Sequence, residues 1–257
     1  MSKPAVLPLA LALAAAPVAG AQVAPDPEAL CGASSSYDLT VGEDALLFER
    51  TAPAPARVRI ARDGSLGLDG VAADLRLEDQ DRLALIAAEV DALVPEVRAL
   101  GHRAADAAVA AVRAQAQQSA GRVDPELERR LEDRRRQLHA RIDASRSTRD
   151  WQGDAFDGYV RELVADIAPL LAAGLGERAL AAAMAGDMAA AGALRDEVAG
   201  LQGTFEARLR AALAPLEPQA RALCPRLQRI DRLEAGLAVR AAGAPLDLIT
   251  IDPGAVR

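Results

Sequence analysis

Side-chain catalysis needs a positioned base, an activated nucleophile or a bound metal, and this chain is sparing with the residues that supply them. It holds two histidines, His102 and His139, and two cysteines, Cys31 and Cys224. A serine or cysteine hydrolase needs a base within hydrogen-bond reach of its nucleophile, most often a histidine. Here the two histidines fall on different predicted helices and no G-x-S-x-G stretch occurs. His102 follows Gly101 at the border of an apolar stripe, and His139 follows Leu138 on a charged helix, placements that suit structural imidazoles. Two histidines without C-x-x-C or H-E-x-x-H spacing do not compose a zinc site. Asp150, Asp154 and Asp157 lack the alternating spacing of a calcium loop, and helix capping accounts for two of the three. Gly64, Gly67 and Gly70 belong to hairpin turns and precede no helix, so they form no phosphate loop. A carboxylate pair for glycoside hydrolysis stays open in a chain with 37 acidic residues, although the aromatic platforms that hold sugars are scarce at 2%. The residues therefore assign no catalytic side chain, cofactor or metal.

The cysteines carry a different message. Lys3, the apolar run Ala5 to Ala19 and the small-x-small triplet Ala19-Gly20-Ala21 read as a secretory signal peptide over residues 1–21, cut after Ala21. Glu28-Ala29-Leu30 ahead of Cys31 is no lipobox, so acylation is not expected. In an oxidising compartment two cysteines most simply make one disulfide, Cys31 to Cys224; reduced thiols or a redox pair are the alternatives, and neither cysteine sits in C-x-x-C. Closing so long a loop is worth roughly 5 kcal/mol at most in the chain-entropy treatment. Lys3 is the single lysine, every later base is arginine, and the net charge is −7, a poor match to nucleic acid. Glu177, Arg178 and Asp187 punctuate the most alanine-rich stretch, so no transmembrane segment is expected once the signal is removed.

Periodicity supplies the elements. Residues 22–77 comprise a loose start followed by strands. Tyr37–Val41 and Ala45–Glu49 form a hairpin about Gly42-Glu43-Asp44; Arg57–Ala61 and Ser65–Leu68 form one about Asp63-Gly64. A last strand runs from Val71 to Leu77 after Asp69-Gly70. Residues 78–241 change to helical period. Leu83, Ile86, Val90 and Leu93 continue past Pro95, where a new helix or a kink is expected, as Val97, Leu100, Ala104, Ala108 and Val112. A charged helix, Pro125 to Ser145, follows, with Glu126 facing Arg130 and Glu132 facing Arg136 in the favourable i,i+4 order. Next come a stripe of Phe156, Val160, Leu163, Ile167 and Leu170, broken at Gly174 and Gly176, and an alanine-rich stretch from Glu177 to Ala193 that reads as a weak helix pair or a helical hairpin. The stripe Leu194, Val198, Leu201, Phe205, Leu209 and Leu213 ends at Pro215 and Pro218. A final helix carries Cys224, with Pro225 expected to kink it and Glu234 expected to turn outward beside an inward Leu233. In the tail, residues 242–257, Leu246 to Ile251 is expected to add a strand to the meander. The fold class is α+β, mainly α: a small N-terminal antiparallel β-meander followed by a body of long, partly kinked helices, with residues 22–241 as one folded unit.

Cys31, the turns Asp63-Gly64 and Leu68-Asp69-Gly70-Val71, the run Leu93-Val94-Pro95, and Cys224 with Leu227 to Leu233 give the chain a family likeness. It resembles the YggN-like family of exported proteins of Gram-negative bacteria, a domain of unknown function, over about Cys31 to Leu237. Pro225 and the tail after Ala241 depart from that pattern. The resemblance implies a periplasmic location and transfers no catalytic residues. The expectation is a periplasmic non-enzymatic protein, a helical scaffold or interaction module for an envelope protein or an unfolded client, whose aromatic-poor helices offer apolar grooves. Alternatives are a carboxylate-based hydrolase and a membrane-surface binder using the helix around Arg129 to Ile142.

Overall fold

The computed structural model describes residues 30–151, 153–241 and 243–252; the expected signal peptide, residues 1–21, lies outside the described residues. Five strands, β2 (Asp38–Val41), β3 (Ala45–Glu49), β4 (Arg57–Ala61), β5 (Leu66–Leu68) and β6 (Val71–Ala72), make an antiparallel meander in sequence order. Alternation puts Leu46 and Phe48 of β3 on the same face as their cross-strand partners Ile60 and Val58 of β4, and this face is buried. Helix α1 (Leu77–Ala120) lays Leu83, Ile86, Ala87 and Val90 on that face, and together they form the main core. Burying each large aliphatic side chain contributes about 1.5–3 kcal/mol.

The 44 residues of α1 reach about 65 Å at 1.5 Å per residue, well beyond the sheet. Its outer half builds a second core, in which Val112 and Ala116 meet Leu127 and Leu131 of α2 (Pro125–Ala144) and Ile167 of α3 (Gly153–Met184). Gly121, left-handed at φ 71°, ends α1, and Asp124 caps α2 by accepting from the Glu126 amide at 2.8 Å, with Pro125 in the first turn. The connector after α2 returns to the sheet and covers its open edge. The Val41 amide donates to the Arg146 carbonyl at 2.8 Å and the Leu39 amide to Thr148 Oγ1 at 3.0 Å.

Helix α4 (Met188–Leu213), a 3-10 turn at Ala214–Leu216 and the short α5 (Glu217–Arg221) lead back to α6 (Cys224–Ala235), which lies on α1 beside the sheet. Arg226 and Arg229 of α6 both reach Glu89 of α1, at 3.1 and 2.9 Å. At the start of α6, Cys224 is bonded to Cys31, with Cα atoms 5.3 Å apart across a separation of 193 residues. Two small pairs complete the chain: β7 (Arg240–Ala241) with β8 (Ala244–Pro245), and β1 (Ala33–Ser34) with β9 (Thr250–Ile251).

Several expectations are corrected. The last meander strand stops at Ala72, because β5 offers only three residues to pair, and Leu77 opens α1 instead. Pro95 starts no new helix: α1 is continuous through it. Gly174 and Gly176 leave α3 unbroken, since each costs a helix only about 1 kcal/mol and Leu175 between them is fully buried. Pro225 does not kink α6 but starts it, in a first-turn position where its missing N–H has no intrahelical partner to lose. Glu234 faces inward at 6% exposure, for reasons given below, while Leu233 is only partly buried. The tail strand β9 pairs with β1 beside Cys31 and stays out of the five-stranded meander. The side chains of Phe156, Val160, Leu163, Val198, Leu201 and Phe205 lie outside the described residues.

Candidate functional site

The histidines, expected apart, meet. Packing of α1 against α2 brings the rings of His102 and His139 to 4.4 Å between centroids. Their carboxylate contacts are crossed: His102 Nε2 bonds Asp143 at 2.9 Å and His139 Nε2 bonds Asp106 at 3.0 Å. Each helix therefore carries a His-x-x-x-Asp pair, and each histidine reaches across to the other helix's aspartate. That repeated i,i+4 spacing was present in the sequence and was the signal available for finding it. Chemically the arrangement is a pair of interhelical ties. Both Nε2 atoms are taken by carboxylates, no described nucleophile bonds either ring, and among the described residues no three metal-ligating side chains form a group that could hold an ion.

Asp150 is likewise committed to structure. Its Oδ2 accepts from the amides of Ser147 and Arg146 at 3.0 and 3.1 Å and from Ser145 Oγ at 3.0 Å, and the Ser147 amide above all holds its carboxyl below the ordinary aspartate range. The side chains of Asp154 and Asp157 lie outside the described residues. Arginines bridge these helices: Arg113 of α1 bonds Glu128 of α2 at 2.8 Å through Nε, and Arg134 of α2 bonds Asp166 of α3 at 2.9 Å. Both are paired with acids of this chain. The apolar face of α2, proposed above for a membrane surface, is also spent, because Leu127, Leu131 and Ile142 are buried.

An open cleft of about 810 Å³ lies where β2 and β3 meet the loop Thr51–Ala56. Its groups again serve one another. Arg50 stacks 4.1 Å above the Tyr37 ring and donates to Ser36 Oγ and the Pro53 carbonyl, both at 2.8 Å, while Tyr37 donates to the Pro55 carbonyl at 3.0 Å. Arg57 pairs with Glu49 and Arg149 with Asp38, each at 2.9 Å. Arg50 and Tyr37 pin the loop to the sheet, and the ion pairs line the cleft beside it.

A group of exposed apolar side chains lies at the far end of the helical body. Helices α3 and α4 form a hairpin closed at Ala185–Asp187: Gly186, left-handed at φ 82°, and Asp187 return hydrogen bonds to the carbonyls of Ala183 and Ala182, and Asp187 caps α4 through the Ala190 amide at 2.9 Å. Around this tip Leu180 is 63% exposed, Met184 82% and Met188 65%. These are the two methionines of the chain beyond Met1. The stretch Ala165–Met184 is long and apolar enough to cross a membrane by length and composition, yet only 17% of its most apolar window is buried. Ile167 and Leu175 anchor the arm to the rest of the protein, while its tip stays exposed.

A family model described as a protein of unknown function (DUF2884) matches residues 31–249. The chain belongs to that family. No curated protein and no solved structure matches it. The DUF2884 match runs from Cys31 to Ile249, so it takes in both cysteines, both histidines, the α3–α4 arm and the first half of the tail. The tail up to Ile249 is thus part of the family pattern and not an addition to it.

Proposed function

We propose that this DUF2884 protein is an exported, non-enzymatic interaction module of the bacterial envelope, which uses the tip of the α3–α4 arm to hold an apolar segment of another exported protein. The observation that carries this reading is the concentration of exposed Leu180, Met184 and Met188 on one hairpin tip. Methionine is unbranched and polarisable and recurs on surfaces that accept varied apolar partners. A protein segment suits the tip better than a lipid surface. The nearby charges, Glu177, Arg178 and Asp187, are mixed in sign, and the basic flank and aromatic anchors of an interfacial helix are missing from that stretch. Export is supported by the signal-like residues 1–21 and by the disulfide, which persists in an oxidising compartment and rarely in a reducing one. The YggN-like likeness supports a periplasmic location in a Gram-negative cell.

The test uses the oxidised protein and a fluorescent amphipathic peptide as probe. Wild type binds it, and the L180Q/M184Q/M188Q variant binds at least tenfold more weakly with an unchanged melting temperature. Equal binding by both proteins refutes the arm as the site. Binding of both to anionic phosphatidylglycerol vesicles, with none to the peptide, refutes the protein-partner reading.

A further inference from the structure

Glu234 is buried near the C-terminal end of α6, an expensive place for a carboxyl group unless its oxygens are satisfied. Both are satisfied from the tail: Oε1 accepts from the Leu248 amide and Oε2 from the Ile249 amide at 3.2 Å. The tail is also gripped from its other side. Ser35 Oγ donates to the Leu248 carbonyl at 2.6 Å, β9 pairs with β1, and the Asp252 amide donates to the Gly32 carbonyl at 2.8 Å. Leu246 and Leu248 fill sockets in the main core. Ile249 and Ile251 pack on Cys31 and Cys224. The tail therefore lies in a groove with β1 on one wall and α6 on the other, and the disulfide joins the two walls.

We propose that Leu246–Asp252 is a releasable strap, seated by Glu234 in this disulfide-framed groove, and that its seating weakens as pH rises from mildly acidic to mildly alkaline. Release returns Glu234 to water and uncovers the β1 edge with two leucine sockets. The direction follows from the surroundings of the carboxyl group. Burial raises its pKa to about 7 from an ordinary 4.5, against the two tail amides, which lower it, and with added repulsion from Asp247 on the strap and Asp231 on α6. The acid that α1 brings to this end of α6, Asp79, accepts from the Ala238 amide at 3.0 Å and pairs with Arg82 at 3.6 Å. The β1 segment brings the Ser35 hydroxyl. A carboxyl whose pKa is higher seated than released binds more protons when seated, so seating is strongest below about 4.5 and is lost as pH rises through about 7.

Hydrogen exchange on the intact oxidised protein between pH 5 and 8.5, corrected for intrinsic base catalysis, reads the opening directly. The Leu248 and Ile249 amides open on the order of 50–100-fold more at the upper pH, the span those two values imply, while amides of β3 and β4 keep their protection. In Glu234→Gln the pH dependence collapses. Wild-type opening that ignores pH, or an unchanged dependence in Glu234→Gln, overturns the proposal. Should that variant fail to fold, Asp247→Asn, which removes an acid facing Glu234, moves the midpoint to lower pH; an unmoved midpoint also overturns it.

Discussion

Gly64 shows how one residue fixes the relation between the two halves of the fold. It is left-handed at φ 81°, and a Cβ built on it would sit 2.0 Å from the carbonyl oxygen of Gln80 in the first turns of α1. The Gln80 side-chain amide in turn donates from Nε2 to the Asp63 carbonyl at 3.0 Å, so the hairpin tip and the helix hold each other at close range. Gly70 is left-handed too, at φ 86°, but faces open space. Gly70→Ala should therefore cost only the conformational term, about 1–2 kcal/mol. Gly64→Ala should add an overpacking penalty of roughly 1–3 kcal/mol that no side-chain rotation relieves. Denaturant unfolding of the two variants measures the difference, and equal losses would show that the docking is soft. The Asp63-Gly64 turn itself was legible, because that dipeptide supplies the geometry a tight hairpin needs. Its helix contact was not legible, since nothing in a turn names the surface behind it. Glu234 was misread for the same reason. Helical period is a local signal, and the amides that justify burying this carboxylate arrive 14 residues later.

Elements divide by what their apolar residues touch. The alternation in Arg57–Ala61 and the stripe Leu83, Ile86, Val90 announced faces that do meet, and the sheet and α1 formed where expected. Boundaries were harder where tertiary packing outweighed propensity: buried Leu175 carries α3 through two glycines, and the start of α6 absorbs Pro225. The arm was legible as an alanine-rich hairpin, but its exposure was not, because an alanine stretch reads the same whether it is packed or bare. Substitution separates the two cases. Leu83→Ala removes a fully buried side chain between sheet and helix and should cost about 2–5 kcal/mol. Leu180→Ala on the arm should stay within about 0.5 kcal/mol. A comparable loss at both positions, measured by urea denaturation, would mean the arm's tip is part of the protein's own core, and the proposed docking surface would fall with it.

At the scale of the whole molecule the disulfide acts in two places at once. Its 193-residue separation encloses nearly every described element, including the second core of α1, α2 and α3, which it does not touch. In the unfolded chain that long loop makes the cross-link worth roughly 2–5 kcal/mol, so Cys31→Ser or Cys224→Ser should lower global stability by that amount. In the folded protein the effect is local, because the cysteines pack with Ala33, Leu227, Ile249 and Ile251, the very residues that wall and fill the tail's groove. Loss of the bond should therefore reach the tail before anything else. In the reduced protein at fixed pH, the Leu248, Ile249 and Asp252 amides should exchange faster while those of the second core still report only global unfolding. If every amide accelerates by one common factor, the disulfide contributes through chain entropy alone, and the groove between β1 and α6 holds its shape without it.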